Sequence, residues 1–400
     1  MNNAGRDTRQ STRFMLLYAL AAAGGATAYV PFLTVLLPVR VADLAGAQDI
    51  AWLAYVAFFG AIASSLSNIG FGWLSDITGN RRGWIACGMV LSCALLLCVT
   101  QVQDLTGLIA VIVVWQLCLN MMLAPLTAWA GDCVPDRQKG LLGGLLSFSP
   151  ALGALAGVVV THPGMASDDV RLMLVAAMVV GCVSPVLIMG APRRFPELNQ
   201  PSAIDQTPRK ARDWAALTPA IRMWIARLLM QISEAALFAY LYFWFRSISP
   251  GFGDNDVARV FGLVLLVSVP FSLLCGRWVD RHNRPNLPLV VGAALSAVGL
   301  LTMAAAQDLV LAIAGYVLFG IASAIFLALH SAQTLRVLPR PEHRGRDLGI
   351  FNLTNTVPSL IMPGLTLAMV PLFGFSGLFV LLTALAVVAG LLLVALPRPK

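Results

Sequence analysis

Gly72-Trp73-Leu74-Ser75-Asp76, with Arg81-Arg82 behind it, is written a second time as Gly276-Arg277-Trp278-Val279-Asp280-Arg281, with Arg284 behind it. A second segment repeats at nearly the same offset: Pro135-Asp136-Arg137-Gln138-Lys139-Gly140 with Gly144, and Pro341-Glu342-His343-Arg344-Gly345 with Gly349. The copies stand about 204 residues apart. Each lies in a short basic loop between two long apolar runs, so the duplicated unit is a whole bundle of helices rather than a local motif. A duplicated membrane bundle is the architecture of a transporter.

Composition excludes an ordinary soluble enzyme. Hydrophobic residues make up 58% of the chain and charged residues 12%, where a soluble domain carries about 25% charged. A hydrocarbon core takes about 20 apolar residues to cross. Twelve runs meet that requirement: 14–37, 50–74, 83–102, 105–130, 141–160, 172–190, 225–245, 257–275, 287–306, 309–329, 348–373 and 376–396. Pro and Gly inside these runs are compatible with helix, because neighbouring helices in a bundle satisfy the backbone groups they release. The expected fold is an all-α membrane protein of twelve transmembrane helices in two six-helix bundles. Residues 1–190 and 220–400 form the bundles, and the Pro- and Arg-rich stretch 191–219 is the linker. Six crossings return the chain to its starting side, so the halves repeat in parallel.

The net charge of +8 is a topology signal rather than a nucleic-acid footprint. Arg6, Arg9 and Arg13 precede the first run, and the repeated loops, the linker and the carboxy terminus hold most of the remaining Lys and Arg. The alternate loops hold little beyond Arg40, Arg171, Arg246 and Arg259. By the positive-inside rule both termini are cytoplasmic. The first run is as long as a spanning helix, with no short core and small-residue cleavage site, and is expected to stay in the mature protein. Cys87, Cys93, Cys98, Cys118, Cys182 and Cys275 fall in apolar runs and Cys133 at a cytoplasmic end. Their spacing fits neither a metal site nor a disulfide framework.

A 6+6 chain with Gly-x-x-x-Asp and arginines in the loops after the second and eighth runs resembles the major facilitator superfamily of secondary transporters. Two further segments are similar to a bacterial branch near the glycoside and sucrose cation symporters. They are Asp132-Cys133-Val134-Pro135-Asp136-Arg137-Gln138-Lys139-Gly140, and Arg346-Asp347-Leu348-Gly349-Ile350-Phe351-Asn352 with Asn355 and Pro358. The chain departs from the melibiose type, whose cation site uses acidic residues inside the amino-terminal bundle. Runs one to six have none in mid-span.

Asp76 ends the second run, where a carboxylate adds nothing to the positive-inside pattern. It is placed to pair with Arg81 or Arg82, or to cap a neighbouring helix, as a cytoplasmic latch. Asp280 with Arg281 and Arg284 is its counterpart. An ionisable group inside a span is costly and is retained mainly for use. Glu234 stands near the middle of the seventh run, and Gln231 and Arg227 precede it by three and seven residues, so the three share one helical face. That spacing makes Glu234 the candidate for proton coupling, with Arg227, about 10 Å along the axis, or a bridging Gln231 able to hold it charged. An interhelical Arg–Gln–Glu network is the competing role. Gln231, Gln116, Asn120, Asn352, Asn355 and Tyr29 are candidate contacts for a hydroxyl-rich solute, although such amides also serve as glue between helices. His330, toward the cytoplasmic end of the tenth run, could titrate near neutral pH and serve coupling, although a histidine so close to the interface is more often simply solvated there.

No phosphate-cradling Gly loop and no catalytic triad are present, so the energy must come from an ion gradient or from the solute's own. A channel would be built as a symmetric oligomer around a filter, and a receptor would carry an output domain. The reading is a multi-pass inner-membrane carrier, a monomer, moving a sugar or glycoside in symport with protons. The alternative is a proton-driven exporter of drug-like or metabolite molecules, suggested by Ser149-Pro150-Ala151-Leu152-Gly153. Expected partners are the solute, protons and lipid, with no cofactor, no metal and no nucleic acid.

Overall fold

The computed structural model describes residues 9–135, 138, 142, 145–146, 148–162, 167–193, 195, 214–282, 284, 286–337, 344–394 and 396. The described residues are helical, joined by short turns. The helices are α1 Thr12–Pro31, α2 Leu37–Ala45, α3 Asp49–Thr78, α4 Arg81–Cys98, α5 Leu105–Cys133, α6 Ser149–Val160, α7 Asp168–Met189, α8 Trp214–Ile248, α9 Asp254–His282, α10 Asn286–Ala305, α11 Leu309–Val337 and α12 Arg344–Val394. Most of residues 191–213 lie outside the described set.

The ends of these helices follow from local chemistry. Ser11, Asn80, Asp104 and Ser167 each accept a backbone N–H of the first turn that follows, from Phe14, Gly83, Gly107 and Val170. Such caps satisfy donors that a helix start leaves orphaned. Between α3 and α4 the chain turns at Gly79, with φ of 61°, a conformation that costs glycine nothing. Pro31 and Pro38 flank a π-helical turn, Phe32–Leu36, that joins α1 to α2. A proline lacks the N–H that would continue the regular ladder, and a wider turn absorbs the break. Residues 344–394 run as one helix broken at Gly374, where φ is 65° and ψ is −174°.

Nine stretches among the described residues are long and apolar enough to span a membrane, and Ser149–Val160 is a shorter apolar helix. Two of the nine are themselves interrupted. Thr12–Thr78 is divided at Gly46, and Leu353–Val394 is divided at Gly374.

The chain divides into two compact units, Met1–Phe32 with Phe59–Ser202, and Leu33–Phe58 with Ala203–Lys400. Within the first, a Cβ on Gly88 of α4 would stand 2.4 Å from the Met122 nitrogen and 2.9 Å from the Cys118 carbonyl oxygen of α5. Within the second, a Cβ on Gly292 of α10 would stand 3.3 Å from the Ala322 oxygen and 3.3 Å from Phe326 Cβ of α11. The pairs 88 and 292, 118 and 322, and 122 and 326 all carry the offset of the repeated loops. Gly60 likewise lies against Gln116, and Gly320 against Val264, so the small residue changes helix while the contact recurs. Small residues let membrane helices approach closely, and the same crossings are built twice.

A buried polar knot ties the start of α1 into the first unit. Gln10, 3% exposed, donates through Nε2 to the Cys133 carbonyl at 2.8 Å and accepts from the Arg193 amide at 3.1 Å. Tyr18 donates to the Leu126 carbonyl at 2.8 Å. Cys133 is buried here, and its thiol is pushed up to about 11, first by burial and then by the Asp132 carboxylate.

Candidate functional site

Two polar clusters stand out, one in each unit. In the second unit Gln231 and Glu234 occupy the middle of the apolar stretch Pro219–Ile248 of α8. Glu234 accepts a short hydrogen bond from the hydroxyl of Ser323 on α11. Ser323 is fully buried. Three residues earlier, Gln231 donates through Nε2 to Asn355 Oδ1 on α12 at 2.7 Å. Arg227, one further turn back, reaches the same oxygen through Nη2 at 3.3 Å, and the Leu327 carbonyl of α11 through Nη1 at 3.4 Å.

The helical spacing therefore brings Arg227 and Gln231 together, but onto Asn355. Glu234 is held by the Ser323 hydroxyl of α11, while Gln231 and Arg227 both reach Asn355 of α12. His330, expected to be solvated, is fully buried. Its Nε2 lies 2.9 Å from the Met223 carbonyl of α8, and its ring rests 5.5 Å from that of Phe326. The run it ends extends to Val337, which leaves His330 inside the helix and against α8.

The first unit holds the pairing expected of Asp76 with Arg81. Arg81 donates from Nη2 to Asp76 and from Nε to Asp132 at 3.0 Å. It also reaches the Ser75 hydroxyl at 2.5 Å through Nη1. One guanidinium thus joins the end of α3 to the end of α5. Its side chain is 13% exposed, whereas those of Asp76 and Asp132 are 62% and 36% exposed. Arg82 turns the other way and lies over the Trp129 ring at 5.4 Å. In the second unit Arg281 and Arg284 are exposed, while the side chain of Asp280 lies outside the described residues, as does that of Asn352.

Asn120 is satisfied inside the first unit. It donates to Ser64 at 3.0 Å and to the Gln116 carbonyl at 2.9 Å, and accepts from Asn68 at 3.2 Å. Gln116 and Asn120 are buried. Tyr29 is half-buried on α1, where its carbonyl accepts the Phe32 amide at the start of the π turn. Among the described residues there is no group of three or more His, Cys, Asp or Glu able to hold a metal ion.

Three partners are not evident from sequence. Asp132 opens the 132–140 segment as a helix-end acid, and its pairing depends on where α5 ends. Ser323 and Ser64 are small hydroxyls in apolar runs, where hydroxyls normally serve packing. Only the identity of the facing residue gives each a chemical role.

The chain resembles solved structures along almost its whole length. A substituted form of the nucleoside transporter NupG aligns with a TM-score of 0.69 and 14% identity, over 96% of this chain and 99% of that one. The human organic anion transporter MFSD10 (TETRAN) aligns with a TM-score of 0.61 and 18% identity, over 95% and 99%. At such identities the likeness concerns the fold. No curated protein matches the chain. The family model of the Major Facilitator Superfamily matches residues 14–259 and 223–400. With nearly all its residues covered by that model, the chain belongs to the Major Facilitator Superfamily: it is a multi-pass membrane transporter, not an enzyme.

Proposed function

We propose that this protein is a secondary active transporter that moves a small polar organic solute, a sugar or glycoside, in symport with protons. The observation that carries the reading is Glu234, a carboxylate in mid-span of α8 held by a neutral hydroxyl on α11. A carboxylate met by a neutral donor can take and give a proton without tearing an ion pair, which suits a group that must change charge once per cycle. Arg227 stands one turn from Gln231 and two from Glu234, close enough to bias that exchange.

In this reading the chain crosses the inner membrane twelve times with both termini in the cytoplasm. Residues 1–190 and 220–400 are the bundles that rock about the solute, joined by 191–219. Gln231 and Asn355, with Asn352, Gln116, Asn120 and Tyr29, are the proposed solute contacts. Asp76, Arg81 and Arg82, with Asp280, Arg281 and Arg284, form the proposed cytoplasmic gate, and a monomer suffices. The nucleoside named in one neighbour and the organic anion named in the other are themselves organic solutes with polar groups, which supports the class.

The second reading, a proton-driven exporter, rests on the Ser149-Pro150 start of α6. In that helix Gly153 packs against Ala26 and Val30 of α1, a close approach that packing alone accounts for. Reconstituted vesicles with an imposed pH gradient separate the two. Accumulation of labelled sugars together with protons is expected. Expulsion of lipophilic dyes, with no sugar movement, would replace symport by export.

A further inference from the structure

Two donors on α8 converge on one oxygen of α12. Gln231 Nε2 is 2.7 Å from Asn355 Oδ1, and Arg227 Nη2 is 3.3 Å from the same atom. The guanidinium's contact with the Leu327 carbonyl is also long, at 3.4 Å. A guanidinium bonded to an anionic oxygen sits at about 2.7–2.9 Å, with two N–H groups in parallel. Both of these Arg227 contacts are longer and are made to neutral oxygens. The Asn355 oxygen, flanked by a cation and an amide N–H, marks a place where an anionic oxygen would be held more strongly.

The cluster is also accessible. Asn355 is exposed, and Gln231 and Arg227 are half-buried, although Gln231 stands in the middle of an apolar stretch. Exposing a guanidinium and two amides to hydrocarbon at that depth costs several kcal/mol. Their accessible side must face water, and so a route by which a solute arrives. Arg presents a planar fork that matches carboxylate and phosphate geometry. Gln231 adds a third donor from the adjacent turn, and the Asn355 side-chain amide carries N–H groups that can turn to the ligand.

We infer that Arg227, Gln231 and Asn355 form the recognition site for an acidic group, a carboxylate or phosphate, on the transported solute. The inference rests on the proposed polar-solute site and narrows it from a neutral sugar to an acidic one.

The test uses the detergent-solubilised full chain and thermal shift with matched probes: glucose against gluconate and glucose 6-phosphate, and glycerol against lactate and glycerol 3-phosphate. Acidic members are expected to raise the unfolding midpoint where the neutral member of the set does not. Whether the carboxylate or the phosphate members act identifies the group. Arg227→Gln and Gln231→Leu should each weaken acidic binding about 10- to 100-fold. Arg227→Lys, which keeps the charge and loses the fork, should fall between. The two α8 sites guard against a folding defect in either variant, and each variant's elution profile checks it. The inference is overturned if no acidic probe stabilises the protein, or if Arg227→Gln binds acids like the wild type. Equal stabilisation by neutral and acidic members, lost in Gln231→Leu, would remove the acid and leave the polar-solute reading standing. Tetraphenylphosphonium, a lipophilic cation, is run beside these sets, and stabilisation by it alone would remove both.

Discussion

Where α4 crosses α5, Gly88 lies against Met122, and at the same offset Gly292 of α10 lies against Phe326 of α11. On this shared frame α1 carries Ala23, Thr27 and Val30 at the positions where α8 carries Arg227, Gln231 and Glu234. Thr27 closes its hydroxyl onto the Ala23 carbonyl of its own helix at 2.9 Å. Gln231 instead reaches across to α12, and Glu234 is reached from α11. In the first unit, Arg81 pairs with Asp76 and Asp132 at a helix end. Duplication thus repeated the packing while the chemistry diverged. Opposite charges meet at a helix end in one half, and ionisable groups meet hydroxyl, amide and carbonyl partners in mid-span in the other. The first arrangement suits a contact that is made and broken, the second a group that changes its charge.

The largest expected effect attacks the ion-paired half. Arg81→Ala leaves Asp76 and Asp132 facing each other without their shared cation, so transport rates should fall at least tenfold while solute binding is kept; the figure follows from about 1.5–3 kcal/mol for hydrogen bonds to a charged group. Adding Asp132→Asn removes the repulsion and should restore part of the rate. Initial uptake rates set against ligand-induced thermal shifts measure both quantities. Unchanged uptake in Arg81→Ala would deny the latch any part in the cycle.

A smaller loss is expected on the neutral side. Ser323→Ala deletes the donor to Glu234 and should lower accumulation several-fold, in line with about 1–3 kcal/mol for leaving a buried group short of a partner. Ser323→Thr, which keeps the hydroxyl, should retain most of it. Equal losses in both variants would mean that Ser323 acts by its size.

The duplicated crossings can be compared directly by stability. Gly88→Ala drives a methyl into backbone at 2.4 Å, whereas Gly292→Ala meets neighbours at 3.3 Å. Overpacking costs about 1–3 kcal/mol. Gly88→Ala should lower the unfolding midpoint clearly, and Gly292→Ala by a fraction of that. Equal shifts would show that the two crossings differ in tightness from what the distances indicate.

The smallest effect concerns Cys133. With its thiol pushed up to about 11, a chain carrying Cys133 as its sole cysteine should react slowly with maleimide at pH 7. The rate should rise about tenfold per pH unit toward 11, because only the thiolate attacks. A rate that levels off near pH 8.5 would mean that the thiol is not buried against α1 and Asp132.

Much of the frame is legible in the sequence because apolar length and repeated Gly, Asp and Arg are local signals. Runs such as 287–306 and 309–329 match α10 and the start of α11 closely. Asp76 with Arg81 can be read because five residues and one turn separate them. Facing residues are harder. Glu234 and Ser323 are 89 positions apart, and periodicity shows which side of a helix a residue takes but not which helix crosses there. His330 departs from expectation for a related reason. The end of the apolar run suggests an interfacial position, while the helix continues to Val337 and presses the ring on the Met223 carbonyl.

Everything proposed for the transport cycle turns on whether the neutral-partnered carboxylate of α8 carries the coupling proton. Glu234→Gln preserves the shape and much of the hydrogen bonding but cannot change charge. In vesicles loaded with solute, the variant should still exchange internal for external labelled solute at a rate near that of the wild type. It should fail to concentrate solute when a pH gradient is the sole driving force. Accumulation by Glu234→Gln under that gradient would contradict the claim and move the coupling role to another residue.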